Sequence, residues 1–235
     1  GRGVVVLIRE PLPTSLSDAV QRRINAAVPD KNGPAKNGKP TELRDLPWRA
    51  TREPWAILVA EVMLQQTQVP RVAPRWPAFL ARFPTPRACA AAPVADVIDA
   101  WAGLGYNRRA VALHRCAAAC VEQHGGALPD SLEQLRALPG LGPYTSRAVL
   151  AFAFERDVGV VDTNVGRVLA RTGGVPLKPA DAQAAADADV PAGKGWAWNQ
   201  ALFDLGAGVC AKRAPACERC PVRRWCAWQL ADRPA

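Results

Sequence analysis

Cys210, Cys217, Cys220 and Cys226 follow one another with the spacing C-x6-C-x2-C-x5-C, and no other feature restricts so tightly what this chain can fold into. Four thiolates so close together can wrap one metal centre and seal it from water. Ligation by four thiolates suits either tetrahedral zinc or an iron–sulfur cluster. Paired C-x2-C knuckles favour zinc, whereas here a single C-x2-C is flanked by spacers of six and five. A structural metal site is expected at this end of the chain. The seven cysteines are odd in number and four of them sit in this one cluster. That points to a reducing compartment rather than a disulfide scaffold, and to a cytoplasmic protein.

The chain of 235 residues is long enough for one large or two small domains with a real core. Hydrophobic residues make up 49% but aromatics only 6%, because alanine carries much of the apolar content, a bias that favours helices. The run Gly3–Ile8 is too short for a signal-peptide core, and no stretch is long and apolar enough to span a membrane. The net charge of +9 is unevenly spread: four Arg and no acid occupy the span from Arg71 to Arg87, and Arg108, Arg109 and Arg115 follow. From Cys210 onward six Lys or Arg face two acids. Such patches suit a polyanion, with nucleic acid the foremost candidate.

Helix signals are dense and no period-two alternation is sustained, so an all-α fold is expected. Residues 29–41 read as a flexible linker, preceded by a short amphipathic helix over Ser15–Val28. Further helices are expected over Ile57–Gln68, Val72–Phe83, Val94–Ala102, Arg108–His124, Ser131–Leu138, Thr145–Phe154, Asn164–Thr172 and Trp196–Val209. Cys89, Cys116 and Cys120 are expected to pack as small apolar residues.

Two segments carry chemistry. In Leu138-Pro-Gly-Leu-Gly-Pro-Tyr-Thr145, Gly140 and Gly142 flank one apolar residue and allow a tight hairpin between two helices. The first N–H groups of the second helix, with its positive dipole end, can then hold a DNA phosphate without reading sequence. Beyond it, Asp162 in Val-Val-Asp-Thr-Asn stands just before a helix, where it serves either as an N-cap or as a carboxylate facing bound nucleic acid. Glu61 is the sole charge between Trp55 and Pro70. Desolvation in such apolar surroundings raises a carboxyl pKa, which is what a general acid near neutral pH requires.

Hairpin, Asp162 and cysteine loop, in this order and spacing, resemble the helix-hairpin-helix DNA glycosylases that carry a [4Fe-4S] cluster, typified by endonuclease III. The resemblance covers residues 44–228, and it turns the metal expectation from zinc to iron–sulfur. Leu46-Pro-Trp-Arg49, Glu61-Val-Met-Leu-Gln-Gln-Thr67, Gly103-Leu-Gly-Tyr106 and Trp198-Asn-Gln-Ala-Leu-Phe-Asp-Leu-Gly206 look, within that superfamily, like the adenine glycosylases of the MutY type.

The resemblance implies a two-lobed fold: a six-helix barrel over 57–163, a cluster lobe from 44–56 and 164–235, and an active site in the cleft between. Residues 1–43 have no good match. It implies base flipping from double-stranded DNA, with Glu61 protonating the departing adenine and Asp162 stabilising the cationic sugar. Asn164 and Tyr144 would position the nucleotide and the carboxylates, and Gln65, Gln66 and Tyr106 would fill or wedge the helix. Leu138, Gly140, Gly142 and Thr145 would bind the backbone, and the four cysteines would hold the cluster. The protein would act as a monomer. Glycosylase/lyases of this superfamily place a lysine where Tyr144 stands, and no lysine lies between Lys39 and Lys178; monofunctional excision is therefore expected. The sequence ends nine residues after Cys226, whereas full-length adenine glycosylases of this type carry a further domain that recognises 8-oxoguanine, so weak preference for that opposite base is expected. The same features accommodate a thymine or uracil mismatch glycosylase. A non-catalytic DNA-binding module with a structural metal is a third reading, which has no use for Glu61 and Asp162 together.

Overall fold

The computed structural model describes residues 44–231; the expected Ser15–Val28 helix and the 29–41 linker lie outside the described residues. As expected, the described residues form helices and turns without a strand. They divide into two compact units, one from Asp45 to Arg156 and the other from Asp157 onward together with Arg44. The lobe limits inferred from the resemblance differ from this division at both edges. Residues 45–56 pack in the first unit, where Trp48 meets Trp76 edge-on at 6.2 Å and Arg52 pairs with Glu155 at 2.8 Å.

The first unit is built around α1 (Pro54–Leu64). Its start is fixed twice: Pro54 stands where a helix needs no N–H, and the Glu53 carboxylate accepts from the Ala56 N–H at 2.6 Å. Every residue from Trp55 to Met63 is buried, as befits a helix apolar all round. The Trp55 indole donates to the Phe83 carbonyl and that of Trp76 to the Ala56 carbonyl. Around it run α2 (Val69–Val72), α3 (Arg75–Arg82), α4 (Pro86–Ala91), α5 (Val94–Ala100), α6 (Arg108–Gln123), α7 (Leu132–Ala137) and α8 (Pro143–Phe152). Phe79 packs on Phe83 and, edge-on, on Trp101. Cys89, Cys116 and Cys120 are fully buried, as expected of small apolar residues; burial pushes the Cys89 thiol up to about 12.

The second unit holds α9 (Thr163–Gly173), α10 (Pro179–Asp189), α11 (Gly195–Asp204) and α12 (Ala227–Leu230). Val165, Val168 and Leu169 of α9 pack with Trp198 and Leu202 of α11 and Ala186 of α10. Asp204 is buried and paired with Arg44, whose Nε donates to it at 2.7 Å.

Three differences from the expected helices have local causes. The Ile57–Gln68 helix ends at Leu64, because Gln65 takes an extended ψ of 113° and Gln66 a φ of +55°. The helices α2, α4, α10 and α12 were not expected: α2, α4 and α12 have four to six residues, too few for a period to show, and α10, mostly alanine and aspartate, has no apolar stripe. The last long helix stops at Asp204 and widens over Leu205–Val209 into a π-turn, with the Cys210 N–H donating to the Leu205 carbonyl at 2.6 Å.

Candidate active site and cysteine loop

Glu61 sits in the third turn of α1 and is 6% exposed. It is the only charged residue of that helix, whose other members from Trp55 to Met63 are apolar and buried. The chain leaves α1 through Gln65, Gln66 and Thr67. Gln65 reaches the Thr145 hydroxyl with its amide at 3.3 Å, which ties the end of α1 to the first turn of α8. Gln66 is exposed, Thr145 buried.

The hairpin between α7 and α8 forms as its glycines suggest. Gly140 has φ +80°, and a Cβ there would lie 2.8 Å from that of Ala112 on α6, so only glycine lets the turn settle on α6. Leu138 and Leu141 point into the core while Gly140 and Gly142 are exposed. Gly142 caps α8 without a side-chain acceptor and Pro143 follows at its first position, which leaves the first N–H groups of the helix without a capping side chain. Tyr144 is half-buried in that same turn.

In the second unit, Asp162 is the N-cap of α9. Its Oδ1 accepts from the backbone N–H of Asn164 (2.9 Å) and Val165 (2.7 Å), and its Oδ2 from the Asn164 side-chain amide at 3.0 Å. The two roles foreseen for this aspartate are thus compatible, since the cap itself fixes the carboxylate's orientation. Asn164 is positioned in turn. Its Oδ1 accepts from the Arg167 guanidinium at 2.9 Å, and that guanidinium also donates to the carbonyls of Gly206 (2.7 Å) and Cys210 (2.9 Å). Gly206 lies so near that an added Cβ would come within 2.8 Å of the Asn164 Cβ.

The strand-like lead-in to Asp162 is pinned from α10 and α11. Asn199, 1% exposed, accepts from the Val160 N–H and donates to the carbonyls of Val158 and Gly195. The Asp187 carboxylate takes the Gly159 N–H and the Gln183 amide its carbonyl. Asn199 and Arg167 hold the segment around Asp162, a part that sequence reasoning gave to neither. Asn199 lay within a quoted motif, but its partners at Val158 and Val160 lie 41 and 39 residues away and are backbone atoms, which leave no trace in a local pattern.

Cys210, Cys217, Cys220 and Cys226 line one pocket, with Val209, Pro215 and Trp228 among its walls. Burial pushes the Cys220 thiol up to about 11, and the three neighbouring thiols push it the same way; burial raises Cys226 too. The Cys220 and Cys226 thiols thus resist ionising unless a cation shares the pocket. Among the described residues, no three His, Cys, Asp or Glu side chains form a group that could hold a single metal ion. Arg171 braces the loop, donating to the carbonyls of Ala211 and Lys212 and to the Cys210 sulfur at 3.4 Å, with Trp228 stacked 4.6 Å from its guanidinium.

A glycine hairpin on one unit and a capped aspartate beside a four-cysteine loop on the other define a helix-hairpin-helix protein of the endonuclease III type. Solved structures agree: the chain matches a thermostable thymine-DNA glycosylase with TM-score 0.79 and 27% identity, covering 93% of this chain and 96% of that one. It also matches an endonuclease III in a non-covalent DNA complex with TM-score 0.71 over 94% and 96%, at 19% identity, a likeness of fold alone. Residues 59–192 match the family model described as HhH-GPD superfamily base excision DNA repair protein. This chain belongs to that superfamily.

Among its relatives, an adenine DNA glycosylase of Mycobacterium tuberculosis (strain H37Rv) is 48% identical over 203 residues, covering 81% of this chain and 65% of that protein. One of Mycolicibacterium smegmatis is 44% identical, covering 82% and 67%, and the human adenine DNA glycosylase is 39% identical, covering 79% and 37%. The chain matches about two thirds of the length of the mycobacterial proteins and just over a third of the human one.

Proposed function

We propose that this chain is the catalytic portion of a monofunctional adenine DNA glycosylase that removes adenine mispaired with 8-oxoguanine or guanine. The observation that carries the proposal is the 48% identity to an adenine DNA glycosylase across 81% of the chain, in a stretch that includes Glu61 and Asp162. The hairpin's uncapped N–H groups and the arginine-rich surface would take the phosphates, and the target nucleotide would leave the stack. Glu61 then gives its proton to the base ring as the glycosidic bond breaks and the bonding pair leaves with adenine. The sugar, now cationic at the bond's carbon, is stabilised by the Asp162 carboxylate. Water adds there, losing a proton, and an abasic site remains. Asn164 keeps Asp162 aimed, and Tyr144, where lyases have lysine, offers no amine for a Schiff base.

The four cysteines fit a [4Fe-4S] cluster. Cys210, Cys217, Cys220 and Cys226 line one pocket and would supply the four thiolates that such a cluster takes. Its charge would offset the mutual repulsion of the buried thiolates and hold the loop closed. Protein carrying about four iron and four sulfide per chain, brown in colour, is the expected result; stoichiometric zinc from iron-replete cells would refute it.

A thymine or uracil mismatch glycosylase is the second reading, favoured by the near full-length likeness to a thymine-DNA glycosylase. Excision from duplexes carrying A:8-oxoguanine, A:G, T:G and U:G pairs separates the two. Adenine released from the first two, with no strand cleavage, is expected. Release of thymine or uracil alone would replace the proposal, and nicking as fast as base loss would overturn the monofunctional assignment.

A further inference from the structure

Arg109, the second residue of α6, is 7% exposed. Its Nη1 donates to the carbonyls of Val62 (2.9 Å), Met63 (2.9 Å) and Gln65 (2.6 Å), and its Nη2 to the Thr67 hydroxyl (3.0 Å) and the carbonyls of Leu104 (3.1 Å) and Gly105 (3.0 Å). Its partners are six oxygens and no carboxylate. A buried cation without a counter-ion is costly, and burial holds this guanidinium below its usual pKa. The compensation comes from the C-terminus of α1, whose last carbonyls lack helical partners and carry the negative end of the dipole. That helix has no basic residue of its own in its last turn, so Arg109 supplies the cap from 44 to 47 residues away.

What lies immediately beyond those acceptors matters more. Gln65 precedes Gln66, at φ +55°, and Gly105 precedes Tyr106, at φ +50°. Both are non-glycine residues in left-handed backbone, a conformation that persists only where the surroundings enforce it. Both side chains are exposed, Tyr106 at 56%. Tyr106 also rests its ring 5.6 Å from the guanidinium, with Trp101 5.5 Å away. One side chain therefore grips the backbone just ahead of two strained, exposed residues on two separate loops.

We infer that Arg109 is a positioning residue that locks Gln66 and Tyr106 into one preformed wedge, which enters the DNA stack where the target nucleotide leaves. The inference rests on the glycosylase function proposed above. A preformed wedge does not have to be ordered at the moment of base extrusion. Loss of Arg109 would thus slow extrusion and leave phosphate binding by the hairpin intact.

Arg109→Lys keeps a cation at the end of α1 but has one head where the guanidinium has two, so it cannot hold both loops. With 2-aminopurine beside the mispair, the variant is expected to lose most of the fluorescence rise on binding. Its single-turnover excision should fall by about tenfold to a hundredfold, as for a misplaced reacting group. Affinity for undamaged duplex should stay within about twofold, since backbone contacts carry it. Tyr106→Ala should cost activity in the wild type and little more in the Arg109→Lys background, because the two act as one unit. Should Arg109→Lys fail to fold, Thr67→Val removes one acceptor and should shift fluorescence and rate the same way by a smaller factor. Wild-type fluorescence and rates in either folded variant, or additive losses in the double variant, would overturn the clamp. A wild-type protein that excises no base would overturn the function instead, and the fluorescence comparison would still decide the clamp.

Discussion

Glu61 and Asp162 are both carboxylates that the proposed chemistry needs, yet the two units fix them by opposite means. Glu61 lies in mid-helix, and its place is set by the packing of Trp55–Met63 on every side. Asp162 lies at a helix start, and its place is set by three N–H donors, by Asn164 with Arg167 behind it, and by Asn199, which holds the backbone leading to it. Packing is non-directional and spread over many atoms, so it survives a change that conserves volume. A polar chain is directional, and each missing member strands a partner. The comparison teaches that the second unit should be the more fragile, even where its residues are small.

The sharpest test is at the packed carboxylate. Glu61→Gln is close in volume and should leave melting nearly unchanged, while single-turnover excision falls by about 10²- to 10⁴-fold, the usual worth of a general acid. Wild-type rates in this variant would remove the proton transfer from Glu61. At the capped carboxylate, Asp162→Asn retains an acceptor for the cap, so a loss of about 10²- to 10³-fold in rate is expected with little change in stability. Asp162→Ala should add about 1 kcal/mol of destabilisation from the lost cap; equal melting of the two variants would show that the cap contributes nothing.

Asn199→Ala strands the buried Val160 N–H and should cost about 1–3 kcal/mol in denaturant unfolding, with a smaller loss of rate. An unaffected Asn199→Ala protein would break the contrast between the two units. Smallest of all, Tyr144→Lys should give faint strand nicking by supplying an amine, detectable by borohydride trapping on DNA.

The helices were legible where glycine or proline ended them: α6 stops before Gly125-Gly126 and α8 starts at Pro143. The hairpin was legible for the same reason, because Gly140 is required by a backbone angle and a close approach to Ala112. Glu61 stood out as one charge in an apolar run. Arg109 did not, since it reads as one more arginine in a basic patch, and four of its six acceptors belong to a segment that only the fold brings to it. Arg167 and Asn199 were hidden likewise. Side chains that hold remote backbone leave a neighbourhood no different from that of a surface residue.

The π-turn at Leu205–Val209 has a consequence for how this segment can vary. An α-helix advances 100° per residue, so each residue added or removed between α11 and Cys210 would swing Cys210 by about that angle around the helix axis. Its carbonyl would leave Arg167, and its sulfur would turn away from the pocket that the other three cysteines line. Apart from Gly206, which has no room for a side chain, and the buried Leu205 and Val209, the segment is constrained in its length more than in its letters. Substitutions there should be neutral far more often than single-residue deletions or insertions.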